Sequence, residues 1–244
     1  MNIYGKAFAR IYDKKWSFWG PKVWSFLYKK IKAGCPSSRT LLDLCCGTGS
    51  LIRLASKQGY ICTGIDKSPH QIWNARRNAP SAKFFIQDIR KLSVKESFDI
   101  ITCMFDSLNY LTRTRDLVTV FRKAGAHLNP GGLFIFDMNT YEGLEDGWRK
   151  TFVIHDPGFT VITESSFEKI TARGRCLITG FIKTKGNYAR FQEEHIERGY
   201  KPREIERCLD LAGFSYQKYD GNTLKAPGKR AGRLLYICNL TRTS

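Results

Sequence analysis

The chain has 244 residues, and nowhere do they form an uninterrupted apolar run near the ~18 that a membrane-spanning helix needs. The first twenty, "MNIYGKAFARIYDKKWSFWG", contain no apolar core of a signal peptide and no Ser-rich transit character, so a soluble cytoplasmic protein with no membrane contact is expected. There is no CxxC pair. The eight cysteines stand at 35, 45, 46, 62, 103, 176, 208 and 238, and no histidine lies at ligand spacing from two of them, which argues against zinc or any other bound metal. Most cysteines fall inside apolar runs such as "YICTGI" and "DIITCMF". They read as small buried hydrophobes in a reducing compartment. Internal repeats and low-complexity tracts are missing too. Acid is scarce: 22 Asp and Glu face 40 Lys and Arg, a net charge of +18. Such charge suits nucleic acid, an acidic substrate or a merely solvated surface. The basic residues are spread along the chain, clustering only in "YKKIK", "NARRNA" and "KAPGKRAGR", and a solvated surface is the simpler reading.

Hydrophobic residues make up 42% of the chain and aromatics 13%, enough for a substantial core. Aromatics at 4, 8, 12, 16 and 19 keep helical spacing across the first 33 residues, and Pro21 is expected to open a second helix. Strands are expected at 39–45, 61–66, 83–88, 98–105 and 133–139, with helices at 50–58, from Ser68-Pro69, and at 114–127. This alternation means a doubly wound, mostly parallel sheet. From 148 to 197 the pattern changes to alternating apolar and polar residues, broken by Asp156-Pro157-Gly158, Arg173-Gly174 and Lys185-Gly186-Asn187. Those are the marks of antiparallel strands joined by short turns. A helix at 201–212 and strands at 214–220 and 233–240 close the chain. The division expected is an N-terminal helical lid (1–35), an α/β domain (36–140 and 200–244) and an inserted antiparallel subdomain (141–199).

The stretch "LLDLCCGTGS" (41–50) ends a strand in an acid and follows it with Gly-x-Gly. A phosphate-binding Walker loop would need Gly-Lys-Ser/Thr, and a dinucleotide fingerprint a third glycine where Ile52 stands. What remains is Asp43, Gly47, Gly49 and, at the end of the second strand, Asp66. Glycines in that turn let a ligand approach the backbone. An acid at the second strand end can accept both hydroxyls of a ribose. The ligand is therefore read as a nucleoside without phosphates.

Together with "GIDKSPHQI", "FFIQDIRKL", "FDIITCMFDSLNYL" and "LNPGGLFIFDMNT", that stretch resembles the ordered motifs of class I S-adenosylmethionine-dependent methyltransferases. "YGKAFARIYD" and "EEHIERGYKPREIERCLDLAGF" are similar to the small-molecule group, akin to glycine-type and sugar N-methyltransferases, with an antiparallel lid inserted into a seven-stranded Rossmann-like sheet. The resemblance covers nearly the whole chain. The Cys45-Cys46 pair departs from it, since Gly or Ala is common at one of those positions.

The resemblance implies S-adenosylmethionine as cofactor and methyl transfer to nitrogen or oxygen of a small molecule. Gly47 and Gly49 would pass its methionine part, Asp43 would hold the amino group, and Asp66 would take the ribose. Asp88 and Ile89 would meet adenine, though Asp88 also suits a turn cap. Cys45 and Lys67 would border the cofactor. Met104 and Phe105 would line the cavity near the sulfonium or pack the core. Tyr4 and Phe8, with Tyr12 as a catalytic candidate, would form a lid over the acceptor, unless that helix only packs. Asp106, a further catalytic candidate, would reach the acceptor with Asn109 and Tyr110. His195 is the candidate general base, and Arg198 would hold an acidic group or else pair with Glu194 or Glu197. An RNA methyltransferase, motivated by the charge, and a non-catalytic cofactor-binding protein stand as alternatives. Against the first, "FDSLNY" replaces an Asn-Pro-Pro-Tyr-type sequence and no RNA-binding module is appended. Against the second stand the intact glycine turn and both acids. A monomer or homodimer is expected.

Overall fold

The computed structural model describes residues 3–16 and 19–241. β1 (Thr40–Leu44), β2 (Ile61–Asp66), β3 (Lys83–Ile86), β4 (Phe98–Cys103), β5 (Leu128–Asn139), β10 (Phe214–Asp220) and β11 (Arg233–Leu240) form one seven-stranded sheet. Its order is β10-β11-β5-β4-β1-β2-β3, and only β11 runs against the rest. β1 and β4 are neighbours, and the chain winds outward from them in opposite directions. Their carboxyl ends open a crevice, the place where doubly wound sheets bind ligands.

β1 is buried on both faces after its first residue, as a central parallel strand should be. α3 (Ser50–Lys57) follows it, burying Leu51, Ile52 and Ala55. α4 (Pro69–Asn78) starts where Ser68 Oγ accepts the Gln71 N–H, with proline in the first turn. α5 (Thr114–Ala126) buries Leu117, Val120, Phe121 and Ala124, the four-residue rhythm expected of it. α7 (Pro202–Leu211) packs Ile205, Cys208 and Leu209 against the same side.

A second sheet, in the order β6-β7-β8-β9, is an antiparallel meander of Thr151–Asp156, Phe159–Glu168, Arg173–Lys183 and Tyr188–Arg198. α6 (Tyr141–Gly147) leads into it, capped by Thr140 Oγ1; this short helix carries too few apolar residues to be read from periodicity. Two details differ from expectation. Arg173-Gly174 is strand rather than turn; the reversal ends one residue earlier, at Ala172, with φ 54°. Gly174 is needed for space, because a Cβ there would lie 2.5 Å from the Trp148 ring. Pro130-Gly131-Gly132 lies inside β5, not before it, as a bulge: Phe98 faces Leu128 while Ile100 already faces Leu133.

The two N-terminal helices pack differently, one on the main sheet's core and the other on the second sheet as well as on α4, whose Asn74 donates to the Ala9 carbonyl. α2 (Trp19–Gly34) begins two residues ahead of Pro21 and sinks Val23, Leu27 and Ile31 into the core beside α3. α1 (Lys6–Lys15) instead packs Phe8 and Ile11 on Phe159, Val161 and Ile178 of the second sheet. The lid over the crevice is thus α1 together with that sheet.

Candidate active site

Asp43, next to last in β1, is almost fully buried and accepts a 2.6 Å hydrogen bond from Thr102 Oγ1 of β4. Burial raises its pKa to about 7, partly opposed by that bond and reinforced by the charge of Asp66. Beyond it Cys45, Gly47 and Gly49 all take left-handed φ, at 55°, 53° and 76°. Such alternation aims backbone N–H groups into a hollow. A Cβ on Gly47 would meet nothing within 4 Å, so the open space there admits a ligand against the backbone. Asp66 is held by two amides, Gly47 N–H at 2.9 Å and Ser68 N–H at 2.8 Å. Burial raises its pKa, and the amide bonds work against the rise.

A cavity of about 350 Å³ opens over these groups, within the ~300–1,000 Å³ usual for small-molecule sites. Asp66, Lys67, Asp88 and Ile89 line one part of it and Tyr4, Tyr12 and Tyr110 another. A recess of about 50 Å³, bounded by Asp43, Trp19 and Met104, shares Tyr12, Cys45, Gly47, Phe105 and Ser107 with the larger space. Asp88 fills both of its expected places. It caps the turn by accepting the Arg90 N–H at 2.9 Å, and it faces the cavity. The Arg90 guanidinium holds its pKa below the usual carboxylate range.

The side under the lid is built differently from expectation. Asp106 is turned to Arg233 Nη2 at 2.5 Å and Asn139 Nδ2 at 2.6 Å, so its carboxylate serves the scaffold rather than the cavity. Asn109 is fully buried and donates to the carbonyls of Asn139 and Arg198; it ties the lid to β5. Arg198 pairs with Glu204 at 2.6 Å rather than with Glu194 or Glu197. Strand alternation separates it from Glu197, since 193, 195 and 197 share the buried face of β9 while 194, 196 and 198 face the other way, and Glu194 on its own face is taken by Arg175. Phe8 is core, packed against Phe191 and His195. Tyr12 reaches the cavity and stacks on Trp16.

His195 is buried behind the cavity wall, with Nδ1 2.8 Å from Tyr110 Oη. Tyr110 Oη lies 3.1 Å from Tyr4 Oη, so the histidine reaches the cavity through phenols. Four further groups escaped the sequence reading. Asp137 accepts the N–H of Phe105 at 2.5 Å and of Asp106 at 3.2 Å, the two residues with left-handed φ after β4. Arg233 neutralises Asp137 at 2.5 Å and lays its guanidinium 4.5 Å from the Trp19 ring. Glu193 and Glu197 are buried on β9. An acid inside the apolar run "LFIFDMN", and acids at alternate positions of a lid strand, were the visible signals.

A switch-point crevice with acids near two adjacent strand ends and a left-handed glycine turn defines a Rossmann-like nucleoside-binding site. Residues 41–132 match the family model described as a methyltransferase domain. The solved structure of an S-adenosylmethionine-dependent methyltransferase from Clostridium acetobutylicum is 31% identical, with 98% of this chain and 99% of that one covered and a TM-score of 0.84. The chain belongs to the S-adenosylmethionine-dependent methyltransferases. It is also similar to two sugar enzymes. dTDP-4-amino-2,3,4,6-tetradeoxy-D-glucose N,N-dimethyltransferase of Saccharopolyspora spinosa is 29% identical over 97% of this chain and 94% of its own. dTDP-3-amino-3,4,6-trideoxy-alpha-D-glucopyranose N,N-dimethyltransferase of Streptomyces venezuelae is 25% identical over 78% of this chain and 81% of its own.

The site fits the cofactor. The void at Gly47 admits its backbone-hugging part, Asp66 offers a carboxylate fixed for a diol, and Trp19, Met104 and Phe105 give the recess the aromatic and polarisable wall that suits a sulfonium. No helix among the described residues is long and apolar enough to cross a membrane.

Proposed function

We propose that this chain methylates an amine nitrogen of a small acceptor, of the amino-sugar nucleotide class named for the two sugar enzymes above. The observation that carries the reading is that the Asp43 recess and the larger cavity beside the Tyr4 and Tyr110 phenols abut, with Tyr12, Cys45, Gly47, Phe105 and Ser107 in the walls of both. When bound, the cofactor supplies an already activated methyl group. The chain has to align a lone pair, exclude water and take up a proton. Asp66 orients the ribose, Asp43 the amino group, and Ile89 with Asp88 the base. Trp19, Met104 and Phe105 exclude water near the transferred group. Tyr4 and Tyr110 meet the acceptor, and His195 behind them receives a proton from Tyr110.

The test is transfer of tritiated methyl to a panel of dTDP-linked amino sugars, with an RNA pool alongside at ~0.15 M salt, where long-range attraction is screened within about 8 Å. Label in the amino sugars with background in RNA is expected. Label in RNA alone would refute the acceptor class.

A further inference from the structure

β9 carries Glu193, His195 and Glu197 on one buried face. A core-facing strand surface is ordinarily apolar, and burying ionisable groups costs free energy unless partners are supplied. Glu193 has notable partners. Its Oε2 accepts the N–H of Tyr4 at 2.6 Å and its Oε1 that of Gly5 at 2.7 Å. Both residues line the cavity and lead into α1. Tyr4 holds a φ of 57°, which a bulky residue keeps only when its surroundings impose it. Its carbonyl is fixed as well, accepting Ser68 Oγ at 2.8 Å. The Glu193 carboxylate is also 3.4 Å from His195 Nε2, a nitrogen with no hydrogen-bond partner among the described residues.

These contacts join Tyr4, Tyr110 and His195 in one chain along which a proton can pass. A neutral imidazole whose Nδ1 accepts must carry its hydrogen on Nε2, on the side of Glu193. In that tautomer Tyr110 can donate to Nδ1 and accept from Tyr4, with the Glu197 carboxyl, which also bonds Tyr110, as the competing acceptor. Burial holds both phenols well above their ordinary pKa, so they relay a proton rather than keep a charge. The other ionisable groups near this chain are Tyr12 of α1, edge-on to Tyr4, Cys176 as the register partner of His195 on β8, and Glu197 beside Tyr110.

We propose that Glu193 is a positioning residue that couples closure of the strap at residues 3–15 to assembly of the Tyr110–His195 proton path. It latches the strap through two backbone N–H groups and keeps His195 in the tautomer with hydrogen on Nε2. The inference rests on the amine reading above. In the step it serves, the N–H bond of the methylated nitrogen breaks and its proton goes to Tyr110 Oη, while the Tyr110 proton moves to His195 Nδ1. No electrons change hands, and the imidazolium so formed stands beside the Glu193 carboxylate.

Nitrogen-15 histidine spectra of the full chain, saturated with S-adenosylhomocysteine, report the tautomer of each of the four histidines, and His195→Gln assigns the signal. Hydrogen on Nε2 is expected for His195; hydrogen on Nδ1 in the wild type overturns the proposal without any variant. Glu193→Gln is expected to alter that tautomer balance and to speed tryptic cleavage at the exposed Arg10 about tenfold, as a latch bonded through charge is lost. For a dTDP-linked amino-sugar probe it should lower kcat roughly 10–100-fold while moving KM less than about threefold, with Glu193→Asp recovering part of the loss. A folded Glu193→Gln with unchanged cleavage and unchanged kcat overturns the proposal. If wild type leaves the amine probe unmethylated while tautomer and cleavage behave as expected, the latch is supported and the acceptor class is refuted instead.

Discussion

Asp43 should make the cofactor-free protein less stable than it need be. The group is almost fully buried, and its pKa stands at about 7, against ~3.9 in an unfolded chain. Folding therefore disfavours the ionised form. The penalty is absent below pH ~4, grows between pH ~4 and 7, and is complete above; three units at 1.36 kcal/mol each make it about 4 kcal/mol. Asp43→Asn removes the charge and keeps an acceptor for Thr102 Oγ1, but it buries an amide at a cost of ~1–3 kcal/mol. The net expectation at pH 8 is a gain of roughly 1–3 kcal/mol, a melting temperature higher by about 2–12 °C for a chain of this size. At pH 4 the charge penalty is nearly gone, only the amide cost remains, and the variant should be less stable than wild type by ~1–3 kcal/mol. Cofactor binding should move the other way. If only the carboxylate grips the amino group, affinity in the wild type falls about tenfold from pH 8 to pH 6 as ionisation drops through a pKa of about 7, and Asp43→Asn loses that dependence along with most of the affinity. Thermal melts at both pH values and calorimetry with S-adenosylhomocysteine measure this. A variant that is destabilised equally at pH 4 and pH 8 would refute the argument, because the charge of Asp43 would then not be what the fold resists.

Asp66→Ala should weaken the cofactor by roughly 1–3 kcal/mol through loss of charge-assisted bonds to the ribose, read by calorimetry on a folded variant. Deleting residues 1–16 should abolish turnover and also weaken cofactor binding, because Tyr4, Gly5 and Tyr12 line the same cavity as Asp66; full-rate methylation by the truncated chain would reduce α1 to packing. Arg233→Met strands Asp137 in the core without its countercharge, and should cost ~3–5 kcal/mol in thermal or urea unfolding. Combining it with Asp137→Asn should recover part of that loss, since the two groups interact directly.

The cofactor half was legible because it is local. Asp43, the glycine turn and Asp66 lie within 24 residues. Each place is set by a strand end, and strand ends show in apolar runs punctuated by glycine and acid. β2 was read to the residue, and the capped start of α4 likewise, because Ser-Pro ahead of a helix has one stereochemical meaning. Pro130-Gly131-Gly132 misled because the same residues that make a turn also make a bulge, and only the neighbouring strand decides between them.

The acceptor half was not legible, because its contacts join segments about ninety to nearly two hundred residues apart. Arg198 shows the difficulty. Its charge suggested a ligand anchor, yet one step of strand register decides whether residue 198 or residue 197 faces inward, and no local signal sets that register. Asp106 shows another. Its place after β4 is right for an acceptor contact, but Arg233 arrives from the far end of the chain and takes the carboxylate. That pairing has a purpose in the fold. Phe105 and Asp106 hold left-handed backbone that L-residues resist, and Asp137 secures it by accepting both of their amides. Asp137 is itself buried, so it needs Arg233, whose guanidinium in turn covers Trp19 at the edge of the recess. The Trp19–Phe105 wall of the recess is therefore held by an ion pair between strands β5 and β11. A carboxylate in the midst of "LFIFDMN" is the trace that this arrangement leaves in the sequence.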